Sequence, residues 1–105
     1  MQFIEFPHFT KWVEENLSDE EYRKIQEALI SNPRKGDVIP HGHGLRKLRW
    51  AFRNKGKSGG VRIIYYLWLS HEEFLMIYIY PKTEREDLSK EQLKILAQIT
   101  KEHLR

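Results

Sequence analysis

The 105-residue sequence contains no cysteine. This absence excludes disulfide bonds and thiolate metal sites, and it fits a reducing cytoplasm. No apolar run approaches the roughly 18 residues that a membrane-spanning helix needs. The N-terminal residues, MQFIEFPHF, have no basic segment before an apolar stretch, so they do not have the pattern of a secretory signal. We therefore expect a cytoplasmic protein without a membrane partner.

Acidic residues are missing from a long central stretch of the chain. No Asp or Glu lies between Asp37 and Glu72, although the net charge of the whole sequence is only +3. The basic residues of this stretch are Arg46, Lys47, Arg49, Arg53, Lys55, Lys57 and Arg62. A field of one sign attracts polyanions, nucleic acid first among them. The alternative is a solvated basic hairpin without a function.

The composition is that of one globular domain. Hydrophobic residues make up 40% of the chain, charged residues 31% and aromatic residues 12%. The aromatic side chains give folding a large apolar gain, which argues against disorder. The length suits one compact core, so we predict a single domain over residues 1–105.

The first and last parts of the chain predict helices. After a short strand over Met1–Glu5, apolar residues recur at helical spacing up to Leu17. A capping-box pattern over Ser18–Glu21 begins a second helix, and Asn32-Pro33 ends it. A second capping box over Ser89–Gln92 begins the C-terminal helix.

The middle of the chain predicts an antiparallel meander. The predicted strands are Leu45–Phe52, Val61–Leu69 and Phe74–Tyr80, joined by turns over Asn54–Gly60 and Ser70–Glu73. The segment Arg34–Gly44 reads as a loop. The predicted fold class is α+β, a small antiparallel sheet with an N-terminal helical hairpin and a C-terminal helix, and the helices are expected on one face of the sheet.

Basic residues from neighbouring strands converge in this fold. Lys47 and Arg49 share one face of their strand, because side chains alternate along a strand. Arg62 begins the next strand, close to Arg49, and Tyr80 and Lys82 come at the end of the third. Such clustering costs repulsion between like charges unless an anion binds there.

Such a cluster could cleave RNA without a cofactor. The 2′-hydroxyl of RNA can act as the nucleophile, so the protein has only to align it, neutralise the transition state and move two protons. Arg62 suits the neutralising role, because its fork binds two phosphate oxygens. A lysine crowded by other cations has a lowered pKa and could act as the base. Tyr80 offers a stacking surface for an unpaired base. The same residues also describe inert RNA-binding modules.

Two segments, GLRKLRWAFRNKGKSGGVRIIYYLW and MIYIYPKTEREDLSKEQL, resemble the RelE/HigB toxin family. They contain a basic strand, a glycine-ended hairpin, a G-x-R-x-x-Y-Y strand, a Y-x-K element and a D-L-S helix start. The stretch SDEEYRKIQEALISNPRKGDVI is similar to the helix pair of the HigB-like branch. The resemblance implies a toxin that cleaves mRNA in the ribosomal A site without a metal. It also implies a cognate antitoxin, often a HigA-like helix-turn-helix protein.

The resemblance also implies roles for individual residues. Arg62 matches the transition-state stabiliser, Lys47 and Arg49 match the paired basic positions that include a candidate base, and Lys82 matches the basic residue after the last strand. Ribosomal RNA contacts are expected from Arg46, Arg53, Lys55 and Lys57. The family's catalytic tyrosine beyond the last strand is missing from TEREDLS. Either Tyr80 substitutes for it or the role is absent.

For several other residues the sequence predicts a structural role and no part in catalysis. The HGHG stretch with His41 and His43 is a poor metal cage, because no carboxylate or cysteine lies nearby in sequence. The three Trp are expected in the core or in partner contacts, and one tyrosine of the Tyr65-Tyr66 pair is expected to be buried. Arg85 and the acids after it are expected only to lead into the last helix. The alternative function is non-catalytic, either poisoning of gyrase as in the ParE branch or plain nucleic-acid binding.

Overall fold

A computed structural model describes residues 1–51 and 60–105. The strands are β1 (Gln2–Glu5), β2 (Asp37–Val38), β3 (Arg46–Ala51), β4 (Gly60–Trp68) and β5 (Glu73–Pro81). The helices are α1 (Pro7–Asn16), α2 (Asp19–Ser31) and α3 (Lys90–His103). This order confirms the predicted α+β class. In the part of the chain that the structure describes, no helix is long and apolar enough to cross a membrane.

The strands form one sheet in the order β1-β5-β4-β3-β2. The predicted meander is confirmed, because β3, β4 and β5 pair antiparallel. The expectation of a purely antiparallel sheet is wrong, since β1 pairs parallel to β5, with Phe3 opposite Phe74. The connection through α1, α2 and three further strands carries the chain from β1 at one edge to β5 beside it. A crossover of this length is what a parallel pair requires.

Helices cover both faces of the sheet, not one face as predicted. Phe9 of α1 and Ile25 of α2 pack with Ile63 and Tyr65 of β4 on one face. Leu96 of α3 packs on the other face in a second apolar cluster. The reason lies in β4, whose continuous apolar run has side chains to bury on both sides.

The three tryptophans lie where the sequence predicted. Trp12 and Trp50 pack against the apolar cluster under α1 and α2, and Trp68 packs against the cluster under α3. Each is partly buried. Tyr65 is fully buried, and its hydroxyl donates to the carbonyl of Pro33 at 2.8 Å and accepts from the Gly36 amide at 2.9 Å. One of the two adjacent tyrosines is therefore buried, as predicted.

The predicted helix starts are confirmed with one difference in detail. Ser89 and Gln92 form the reciprocal capping box at the start of α3. Ser18 caps α2 by accepting from the Glu21 amide at 3.0 Å. The Glu21 carboxylate instead accepts from the Trp50 indole at 2.9 Å. The helical hairpin is only partly right, since α1 packs chiefly along β5.

The loop predicted over Arg34–Gly44 contains the short strand β2, which the sequence pattern did not show. Asp37 pairs with Lys47 and Val38 pairs with Arg46 at the edge of the sheet. Two residues are too few for an alternating pattern to be detectable. This strand places Asp37 next to the basic residues of β3, a position that matters for the site.

Candidate functional site

One row of side chains crosses three strands on the face that α3 covers. Arg49 of β3 is in register with Arg62 of β4, and Arg62 is in register with Tyr80 of β5. Lys47 lies two residues from Arg49 on the same face of β3, about 7 Å along the strand. We call Lys47, Arg49 and Arg62 the cationic cluster. The strand register therefore brings together four of the five groups predicted to converge, namely Lys47, Arg49, Arg62 and Tyr80.

Arg62 is the most deeply buried member of the cationic cluster, with its side chain only 9% exposed. Its Nη2 donates to both carboxylate oxygens of Glu86, each at 3.1 Å. Its Nε is buried and has no hydrogen-bond partner among the described residues. A buried guanidinium needs an anion beside it, because an unpaired charge in the protein interior is costly.

Arg49 is about half exposed and lies at the open side of the cationic cluster. Its guanidinium is 3.9 Å from the Glu86 carboxylate and 3.5 Å from that of Asp37. Glu86 thus lies between the guanidinium groups of Arg49 and Arg62. Two guanidinium groups around one carboxylate form an arrangement that suits any small oxyanion, phosphate included.

Lys47 is paired with Asp87, and its side chain is only 12% exposed. The hydrogen bond from Lys47 holds the pKa of the Asp87 carboxyl below its ordinary value. A role for Lys47 as the base was expected on the premise that only cations surround it. The structure corrects that premise, because the Asp87 carboxylate offsets the like-charge repulsion.

Tyr80 is buried in the row, with 2% of the residue exposed. Its hydroxyl donates to the backbone carbonyl of Glu86 at 3.2 Å. Burial, together with the nearby Asp87 charge, raises the pKa of the Tyr80 phenol to about 12. The group therefore keeps its proton at neutral pH and can act as a donor. The predicted stacking of a base on Tyr80 finds little support, because only 2% of the residue is exposed.

Two other predicted residues, Arg46 and Lys82, make their observed contacts outside the cationic cluster. Arg46 faces away from it, and its Nη1 donates to the carbonyls of Gly36 at 2.7 Å and Arg34 at 3.4 Å. These bonds fix the loop before β3. Lys82 is exposed and lies two residues after Tyr80, where its backbone amide donates to the Gly60 carbonyl at 2.9 Å.

Three of the expected ribosomal contacts fall on a part of the chain that the structure does not cover. Arg53, Lys55 and Lys57 lie outside the described residues, as does most of the predicted turn over Asn54–Gly60. Their expected contacts with ribosomal RNA stay predictions.

Sequence reasoning missed the acidic side of the site. Glu86 and Asp87 were expected only to lead into the last helix, yet both lie on the cationic cluster. They belong to the segment 82–89, which connects β5 to α3 and which we call the connecting segment. The available signal was charge balance: a buried arginine on a sheet requires a nearby acid, and the first acids after β5 are in this segment.

A cavity of about 280 Å³ opens beside the cationic cluster. Its walls combine apolar side chains with the polar groups of the site. The lining residues are Ile39, Pro40, Lys47, Ile64, Tyr80, Asp87, Leu88 and Leu93. The cavity therefore offers apolar walls next to the Lys47–Asp87 ion pair.

A comparison with protein families agrees with this geometry. A family model described as the RelE toxin of the RelE/RelB toxin-antitoxin system matches residues 1–105. This match spans every helix and strand described above. The chain therefore belongs to the RelE toxin family of toxin–antitoxin systems.

Proposed function

We propose that this protein is a ribosome-dependent endoribonuclease that inhibits translation by cleaving mRNA. The observation that carries the proposal is the buried guanidinium of Arg62, in register with Arg49 on one side and Tyr80 on the other. Arginine at such a position can bind two oxygens of one phosphate and keeps its charge at any physiological pH. The family membership supports the same function.

The proposed reaction is an internal transesterification. The 2′-oxygen of the RNA attacks the neighbouring phosphorus, the bond from phosphorus to the 5′-oxygen breaks, and a 2′,3′-cyclic phosphate and a 5′-hydroxyl result. Arg62 and Arg49 neutralise the extra charge on the phosphoryl oxygens in the transition state. Tyr80 gives its proton to the departing 5′-oxygen. The 2′-hydroxyl gives its proton to the Asp87 carboxylate, which the hydrogen bond from Lys47 holds in position.

Substrate positioning is proposed for the groups around this centre. A nucleobase next to the scissile phosphate would occupy the cavity beside Tyr80. Lys82, exposed at the end of β5, would contact the RNA backbone, and the basic residues 53, 55 and 57 would contact ribosomal RNA. Arg46 is not included, because its guanidinium is used to hold the loop carbonyls.

The proposed partner is a cognate antitoxin of the HigA-like, helix-turn-helix type. The segment from Ser18 to Ile39 is similar to the HigB-like branch, whose partners are of this type. The neighbouring reading frame tests this proposal. A gene for a helix-turn-helix protein whose product co-purifies with this chain and suppresses its activity is expected. A neighbouring product of another fold that suppresses it equally would contradict the HigA-like type.

The direct test of the function is cleavage of mRNA on purified ribosomes. Ribosomes programmed with a defined mRNA should give shortened transcripts on a sequencing gel when the protein is added, and the same mRNA alone should remain intact. Intact mRNA on the ribosome, together with DNA breaks in a gyrase reaction, would instead support the ParE-like alternative. RNA binding without any cleavage would support a plain binding module.

A further inference from the structure

We propose that Glu86 is a built-in competitor for the phosphate site, so that free RNA is excluded and only RNA held on the ribosome displaces it. This inference rests on the proposed function, because it assumes that Arg62 binds the scissile phosphate. It assigns Glu86 a role in substrate selection. The residue neither reacts nor holds the substrate.

The Glu86 carboxylate occupies the position that a bound phosphate would take. Glu86 is 3.1 Å from Arg62 Nη2 through each oxygen and 3.9 Å from Arg49. Carboxylate and phosphate both present pairs of oxygens to a guanidinium, so they compete for the same donors. A phosphate placed to contact both arginines would meet the Glu86 carboxylate.

Glu86 satisfies the hydrogen-bond donors of Arg62 incompletely. Both carboxylate oxygens share the single nitrogen Nη2, and the buried Nε has no partner among residues 1–51 and 60–105. A phosphate can bind the Nε and Nη2 edge with two parallel hydrogen bonds, the geometry for which the guanidinium fork is suited. Phosphate is therefore the better ligand for Arg62 once it reaches the site.

The Glu86 carboxylate can leave Arg62 at little cost when a phosphate takes its place. The Glu86 side chain is 57% exposed, whereas that of Arg62 is 9% exposed. Moving Glu86 outward transfers an already solvated carboxylate into water, and it leaves the arginine in place to receive the phosphate. The link from the Tyr80 hydroxyl to the Glu86 carbonyl would break or stretch in this movement.

Because Glu86 competes with RNA phosphate for Arg62 within the same chain, RNA must exceed a certain local concentration to bind. An intramolecular ligand acts at an effective concentration in the millimolar range or above, so a weak ligand free in solution competes poorly. If Glu86 occupies Arg62 for about nine-tenths of the time, the apparent affinity for RNA falls about tenfold. A ribosome-bound strand is itself held at high local concentration and overcomes this threshold.

The experiment compares Glu86→Gln with Glu84→Gln. Both variants lose one negative charge from the connecting segment, but Glu84 contacts neither Arg49 nor Arg62 and, among the described residues, forms an ion pair with partly buried Arg85, at 3.8 Å. The probe is a single-stranded RNA oligonucleotide with 2′-O-methyl groups, which cannot be cleaved by 2′-oxygen attack. Its binding is followed by fluorescence anisotropy at one fixed salt concentration, and thermal melts by circular dichroism check that both variants fold.

We expect E86Q to bind the probe about tenfold more tightly than the wild type and to cleave unmodified RNA without ribosomes. E84Q should behave like the wild type, and adding Arg62→Ala to E86Q should remove the gain. Equal affinity of E86Q and E84Q, or weaker binding by E86Q, would overturn the proposal. If wild-type protein still cleaved mRNA on ribosomes in that case, the proposed function would stand without the competitor.

The same experiments also distinguish a protein in which Glu86 competes with phosphate but no nuclease activity exists. Tighter binding by E86Q without any mRNA cleavage on ribosomes by the wild type would support the competitor and reject the nuclease. If E86Q did not fold, the wild type would be titrated with the same probe, with ¹⁵N NMR of the Arg62 Nε and the Glu86 amide. Both signals are expected to shift. Saturating binding that moved neither signal would overturn the proposal.

Discussion

Replacing Arg62 with alanine removes the central cation of the row while leaving its neighbours in place. The guanidinium sits between the register partners Arg49 and Tyr80, so its loss opens a gap where the phosphate would bind. The Glu86 carboxylate loses its buried partner but is itself mostly exposed, so it moves into water at little cost. We therefore expect the variant to fold, with a loss of stability of about 1–3 kcal/mol.

The expected effect on cleavage is much larger than the effect on folding. Removing one donor aimed at a developing oxyanion costs about 3–4 kcal/mol, which is about a hundredfold to a thousandfold in rate. Arg62 can supply donors from both Nε and Nη2, so its removal should lie at the upper end of this range. Arg49 retains its charge and leaves some residual activity.

The assay is single-turnover cleavage of a defined mRNA on purified ribosomes. Arg23→Ala is the matched control, because Arg23 is an exposed arginine of α2 whose one ion pair among the described residues is with Glu27, at 4.0 Å. The control should cleave at the wild-type rate. A folded Arg62→Ala protein that cleaved within about threefold of wild type, well under 1 kcal/mol of barrier, would refute the reasoning.

Three further substitutions probe neighbouring groups. Tyr80→Phe should lower the cleavage rate about a hundredfold or more, the contribution typical of a general acid, whereas an unchanged single-turnover rate would exclude Tyr80 as the proton donor. Asp87→Asn should make the free energy of unfolding depend less on pH in the acid range. The pKa of Asp87 is lowered below 3.8 in the folded protein, so the stabilisation by the carboxylate is present above that pH and is lost as pH falls through the folded-state pKa. Urea midpoints measured across that range check this, and parallel wild-type and variant curves would contradict it. Ser89→Ala should cost about 1 kcal/mol by removing the cap of α3, and an unchanged melting temperature would argue against that cap.

Much of the fold could be predicted because its signals are local. The capping box at Ser89 predicts the start of α3, and the apolar run over β4 predicts a strand, each from a few consecutive residues. The parallel pairing of β1 with β5 could not be read in this way, since it joins Phe3 to Phe74 across most of the chain. The placement of α3 on the second face was not predicted, although the apolar run of β4 needs cover on both sides.

The site was predictable on its cationic side and not on its acidic side. Strand alternation was enough to place Lys47 beside Arg49, and antiparallel pairing brought Arg62 next to them. Glu86 and Asp87 lie in a segment without regular structure, where no periodicity shows which way a side chain points. Only the need to neutralise a buried arginine could have indicated them, and burial of Arg62 is itself a product of the tertiary fold.

The chemistry of the cut ends tests the central claim most directly, because attack by the 2′-oxygen leaves a distinct product. mRNA cleaved on ribosomes by the wild-type protein should carry a 2′,3′-cyclic phosphate on one fragment and a 5′-hydroxyl on the other. Mass spectrometry of the fragments reads both ends. A 3′-hydroxyl with a 5′-phosphate would show that water attacked instead, and it would contradict the role assigned to the cationic cluster.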